Sequence, residues 1–324
     1  MFDTGGKMEP GEKFKLALER KPIKGRVPHF EQVFFLTMEA FGRIHPSHRN
    51  YSQWDQMSET ERQLHRKDMA EIFVETAETF HHGAIFLHPN PWSIEETIRM
   101  IDIVRDMVGR KYFLMIHGDA TFGIPSGSQM MEFVERIADE PEKVKQDAEK
   151  MVDDALERAE TIKKRTHLDG FALCADYCLN SGPFLSPSMF SEFITPYLAK
   201  LIKGYRNMGF YTIKHTDGNI MPIIDQLVQA NPHALHSLDP QAKVDIKVVK
   251  KLYGDRVCLI GNVNCGLLQT GTDQEVTESC LYALQNGMPG YGYIFSTSNC
   301  IYTGVSLERY RLMLSVWEKY GNYA

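Results

Sequence analysis

His215, Asp217 and Cys300 are the side chains of this 324-residue chain that form a candidate metal site. Imidazole, carboxylate and thiolate are each good zinc ligands, and a catalytic zinc takes three protein ligands and leaves one position open. His215 and Asp217 stand two apart in YTIKHTDGN (Tyr211–Asn219), so at a strand end their side chains can converge. An open zinc position suits activation of a sulfur or oxygen nucleophile. The six cysteines include no CxxC pair, so any such site is assembled from distant parts of the chain. Asp176 fits a general base or a group that orients a substrate amine or hydroxyl. His117 and His88 are candidates for acid/base work or substrate binding. Glu31 offers a further ligand or a substrate contact, and Asn262 a polar contact. Tyr177, with Phe34, Phe122 and Phe184, fits the wall of a flat apolar pocket. The plainer alternative for each is a capping, turn or core role.

These residues need elements to place them, and the hydrophobic pattern supplies a regular series. Apolar and β-branched runs predict strands at 27–35, 84–87, 112–116, 169–174, 211–214, 234–238, 257–260 and 293–296. Amphipathic stretches predict helices at 57–80, 93–108, 130–138, 142–165, 188–208, 221–229, 244–252, 273–285 and 307–320, with a short one at 10–20. Ser93 and Glu96 fit a capping box, Pro141 a helix start and Pro196 an interruption or bend. Strands that alternate with helices argue for a parallel sheet. Eight such units predict an α/β protein with a single (β/α)8 TIM barrel spanning 1–324 and an N-terminal helical extension. A doubly wound sheet is the alternative, but no strand is followed by a GxGxxG loop. In a barrel the functional face is built from the C-terminal strand ends. Here those ends offer Glu31, His88, His117 with Asp119, Asp176, His215 with Asp217, Asp239, Asn262 with Asn264, and Ser296 with Cys300.

Bulk composition narrows the function classes. Apolar content of 43% and charged content of 24% predict a soluble globule. A net charge of -6 argues against a general nucleic-acid or anionic-membrane binder, which needs a basic face. No apolar run approaches the about 20 residues that span a bilayer. The polar start MFDTGGKMEPGEKFKLALERKP carries no signal-peptide core, so the cytoplasm is the expected location.

Four blocks carry a family resemblance. KMEPGEKFKLALERKPIKGRVP resembles the opening of uroporphyrinogen decarboxylase superfamily proteins. DYCLNSGPFLSPSMFSEFITP, YTIKHTDGNIMPIIDQLVQ and LDPQAKVDIKVVKKLYGDRVCLIGNVN resemble three later blocks, in the family's order. The resemblance implies the same barrel. True uroporphyrinogen decarboxylases carry an MRQAGR segment whose arginines grip substrate carboxylates. FEQVFFLTMEAFGR stands in its place here, with Arg43 its one arginine. The chain is more similar to the corrinoid-dependent methyltransferases, which have a zinc site of the form H.C after the fifth strand and a further Cys after the eighth. His215 matches, Asp217 stands where the first Cys would be, and Cys300 lies where the second is expected. A harder oxygen ligand in place of a thiolate makes the metal a stronger Lewis acid, which suits an ether or alcohol oxygen.

The resemblance therefore implies a zinc-dependent methyltransferase. It would move a methyl group between a small methylated substrate, such as a methoxylated aromatic, and a corrinoid (cobalamin) carried by a partner protein. Zinc would sit on His215, Asp217 and Cys300, with Asp176 and His117 catalytic and Glu31, His88, Tyr177 and Asn262 binding substrate. A homodimer is implied by the same resemblance. The alternatives are a metal-independent decarboxylase of a carboxylated aromatic or tetrapyrrole, and a barrel that only binds a corrinoid protein or tetrapyrrole.

Overall fold

The computed structural model describes residues 8–323. These residues form nine strands, most of them short apolar runs: β1 Ala84–Leu87, β2 Phe113–His117, β3 Gly170–Leu173, β4 Cys178–Leu179, β5 Gly182–Pro183, β6 Tyr211–His215, β7 Ala234–His236, β8 Cys258–Val263 and β9 Tyr293–Thr297. Seven of them make one curled sheet in the order β1-β2-β3-β6-β7-β8-β9, and every neighbouring pair is parallel. Helices fill the connections between successive strands, as parallel pairing requires. The molecule is thus an α/β fold. β4 and β5 form a separate antiparallel hairpin in the loop after β3, which the sequence pattern did not signal.

Strand side chains alternate between two apolar cores. Phe113 and Met115 of β2 belong to an inner cluster with Phe86, Ala172, Ile213, Ala234, Ile260 and Ile294. Leu114 and Ile116 belong to the outer cluster, against the helices. Helix Pro10–Leu18 sends Phe14, Ala17 and Leu18 into the inner cluster. Phe14 lies 5.0 Å from the Phe113 ring and 5.6 Å from the Phe30 ring. Gly11 donates to Lys111 O just before β2, so this helix packs at the N-terminal ends of the strands.

The expected first strand, 27–35, is not a regular strand. It makes isolated parallel bridges instead: His29 pairs with His82 on one side and Phe295 of β9 on the other. Gly83 donates to His29 O, Phe30 to Phe295 O and Phe295 to Pro28 O. Pro28 lacks an N–H, so an unbroken ladder cannot run through it.

Helix Glu59–Thr79 starts at a capping box of Ser58 and Glu61. The box expected at Ser93 forms by half. Ser93 accepts from Glu96 N–H, but the Glu96 carboxylate turns to Arg66 at 2.6 Å, where burial of the guanidinium makes a paired charge the stronger demand. The helix expected over 188–208 is interrupted near Pro196, as expected: it is two helices, Pro187–Phe193 and Thr195–Asn207, broken at Ile194.

Candidate metal centre at the strand ends

The alternation that fills the inner core continues one step further and sets the site. Two residues beyond the inward Phe86, Met115, Ile213 and Ala234 come His88, His117, His215 and His236. Four imidazoles therefore follow inward positions on β1, β2, β6 and β7. In the β6–β7 register His215 lies opposite His236.

β6 ends at His215, and the chain turns at Thr216–Gly218. Gly218 sits at φ +79, and a Cβ there would meet Cys178 O at 2.4 Å, so the turn demands glycine. β3 neighbours β6 in the sheet, and Asp176 follows β3 by three residues. Asp176 Oδ1 accepts from Asp217 N–H at 2.9 Å, which fixes the turn. The ligating atoms of Asp176, His215 and Asp217 all lie within 4.8 Å of one another, the one such trio of His, Cys and carboxylate groups among the described residues. His215 Nε2 is 3.7 Å from Asp217 Oδ1 and 3.9 Å from Asp176 Oδ1.

Burial, and then the neighbouring Asp176 carboxylate, push the Asp217 pKa up to about 7. Ser237 Oγ donates to Asp217 Oδ1 at 2.8 Å, and Asn299 Nδ2 donates to Oδ2. Burial lowers His215 to about 4, against the pull of Asp176. A neutral imidazole beside two crowded carboxylates is the donor set of a divalent cation, and a bound cation would relieve their repulsion. The residues fit a metal ion.

Asp119, at the end of β2, serves a different pair. Its Oδ2 accepts from the buried Lys214 Nζ at 2.8 Å, and Lys214 also donates to Ala175 O at 2.8 Å. Burial works against the Asp119 charge, yet Lys214 holds its pKa below the ordinary value. The ammonium lies 4.1 Å from the Tyr177 ring centroid, and Tyr177 OH meets Thr121 Oγ1. Tyr177 is thus a wall of the Lys214 pocket, with its hydroxyl pKa well above normal through burial.

The other candidates are dispersed. Glu31 is buried against β9, where Thr297 N–H and Oγ1 donate to its carboxylate. Burial raises its pKa to about 8. Glu31 and His88 line one small cavity of about 30 Å³ with Gln32 and His45. His88 Nδ1 is buried there without a hydrogen-bond partner, and burial lowers its pKa to about 4. His117 is lowered by burial too, with Asp119 pulling it up and Lys214 down. Asn262 is buried, and its Nδ2 donates to Leu238 O at 2.8 Å.

Cys300 adjoins Asn299 on the loop after β9, but its sulfur is not in the trio; Asp176 is. Its thiol is pushed up to about 12 by burial, then by Cys265, Glu31 and Asp217. Cys178 and Cys265 are buried free thiols. Sequence reasoning missed His236 and the Lys214–Asp119 pair. The signal for His236 was present in Ala234-Leu235-His236, whose alternation puts the histidine on the same face as Ala234.

A parallel sheet with its ionisable groups gathered beyond the strand ends defines an α/β protein with an enzyme-like site. The model of the family described as uroporphyrinogen decarboxylase (URO-D) matches residues 127–320, and the chain belongs to that family. Among solved structures, a methyltransferase from Methanosarcina mazei is similar at a TM-score of 0.75 and 17% identity, over 97% of this chain and 99% of that one. A Listeria monocytogenes protein described as a candidate vitamin-B12-independent methionine synthase is similar at 0.51 and 13%, over 90% and 99%. At these identities the likeness shows the fold. No curated protein matches the chain.

Proposed function

We propose that this protein is a metal-dependent methyltransferase of the uroporphyrinogen decarboxylase family. It would take a methyl group from a small methylated substrate, such as a methoxylated aromatic, and pass it to a corrinoid on a separate protein. The convergence of Asp176, His215 and Asp217 within 4.8 Å carries this reading. The likeness to a methyltransferase structure over nearly the whole of both chains supports it. His29, bridged to both edges of the sheet, supports a closed eight-stranded barrel as its scaffold, folded as one domain.

Asp176, His215 and Asp217 would hold zinc. Cys300 is proposed as a further thiolate ligand, because its neighbour Asn299 already bonds Asp217. When bound, zinc supplies Lewis-acid polarisation of the heteroatom that carries the methyl group. The protein's own groups do the rest. Lys214 and Asp119 neutralise each other, so the mouth presents no unpaired cation from that pair to a substrate. Glu31, neutral at pH 7, offers a carboxyl group to an uncharged polar substrate. His88 Nδ1 and the His117 ring supply donor or acceptor positions that orient it.

The second reading is a metal-independent decarboxylase, which the family's description favours. It needs cationic grips for carboxylates. Arg43, the arginine of the matching stretch, is engaged by Asp68, Glu71 and Glu75 on helix Glu59–Thr79.

Metal analysis of purified protein, coupled to methyl transfer onto cob(I)alamin watched by absorbance, separates the two. About one zinc per chain, lost in His215→Ala together with transfer, is the expected result. A metal-free protein that folds and decarboxylates would overturn the reading.

A further inference from the structure

His236 is buried on the inward face of β7 beside His215. The two rings face each other through their Nδ1 atoms at 2.7 Å. On its far side His236 Nε2 lies 3.3 Å from Thr297 O. A carbonyl oxygen only accepts, so this contact is a hydrogen bond only when His236 Nε2 carries the proton. His236 is almost fully buried, where a charged ring would be costly, so the ring has one proton. Its Nδ1 is therefore bare and accepts. The donor at 2.7 Å must be His215 Nδ1–H. With Nδ1–H spent on His236, Nε2 is the nitrogen left to bind a metal, and that atom faces Asp176 and Asp217.

The far end of this chain is anchored as well. Thr297 gives its N–H to Glu31 at 3.2 Å and its Oγ1–H to the same carboxyl group. Its carbonyl is thus held at a fixed place at the end of β9. The sequence runs from Glu31 through Thr297 and His236 to His215, across β9, β7 and β6.

We propose that His236 is a positioning residue that fixes the tautomer of His215 and turns its Nε2 lone pair toward the two carboxylates. The consequence for metal binding rests on the functional reading above; the tautomer does not. A ligating histidine commonly gives its other N–H to a protein acceptor, and losing that acceptor typically weakens metal affinity 10–100-fold. Here the acceptor is a second histidine, itself oriented by a backbone carbonyl.

Two measurements test this. Long-range 15N–1H NMR of labelled, metal-free protein should show His215 protonated at Nδ1 and His236 protonated at Nε2. The reverse pattern in either ring overturns the proposal, whether or not the protein binds metal. Zinc and cobalt(II) titrations then compare wild type with His236→Phe and His236→Asn. About a 10–100-fold loss is expected for Phe. Recovery is expected for Asn, whose Oδ1 can accept at the Nδ1 position, along with a wild-type cobalt spectrum. A folded Phe variant that binds like wild type overturns the proposal. If His236→Phe does not fold, the wild-type NMR result still decides. A wild type that takes up no metal defeats the functional reading alone.

Discussion

At the scale of single residues, burial sets which groups are charged. Glu31 is the clearest case. Its pKa of about 8 in the fold stands against 4.5 for an unhindered glutamate. The folded state therefore keeps a proton that the unfolded chain releases between those values. Stability contributed at this position falls as pH rises through that window and the penalty is complete above about pH 8. The full shift corresponds to about 5 kcal/mol at most. Glu31→Gln mimics the neutral acid and should remove the dependence. Urea midpoints at pH 5.5 and 8.5 should show the variant gaining on wild type at the higher pH; a constant difference would sink the assignment. Lys214 meets burial with partners instead: Asp119, Ala175 O and the Tyr177 ring surround its Nζ.

At the scale of elements, the turn after β6 joins the sheet to the candidate metal site. Gly218 touches Cys178 O in the hairpin loop, and Asp217 N–H is held by Asp176. Gly218→Ala forces a Cβ into that carbonyl at a φ that disfavours it. The turn and the β4–β5 hairpin should part, carrying Asp217 away from Asp176. The expected result is a stability loss of about 1–3 kcal/mol with a much larger fall in zinc content, read by calorimetry and metal analysis. Full zinc occupancy in a folded G218A would show that the turn does not place Asp217. Much of the element pattern was legible in advance. β1 and helix Leu307–Tyr320 fall where periodicity puts them, because apolar spacing alone defines them. The segment 27–35 was read as a strand from its apolar composition. Pro28 and the isolated bridges at His29 and Phe34 show why composition was not enough.

At the scale of the whole molecule, ligand binding and folding share one free energy. Zinc bound to the native state alone stabilises it by about 2.7 kcal/mol at a free concentration one hundred times its dissociation constant. That corresponds to a rise in Tm of about 5 °C for a chain of this size. Adding a chelator to zinc-loaded protein should remove the rise, and His215→Ala should show none. A Tm that ignores both zinc and chelator would argue that the trio holds no metal in solution. No helix among the described residues is long and apolar enough to cross a membrane.

The sequence by itself determined the β/α alternation, the family blocks and the pairing of His215 with Asp217. These are local: a period of two, a period of 3.6 and a two-residue spacing need no tertiary knowledge. Tertiary structure decided the third member of the trio. Asp176 lies 41 residues from Asp217 in the chain, and it arrives because β3 and β6 are neighbours in the sheet. It also decided the partner of His215. β7 sets His236 opposite it in register, and the Thr297 carbonyl on β9 assigns the proton. Sheet order and register are properties of the whole set of strands, so no single stretch of sequence could fix them.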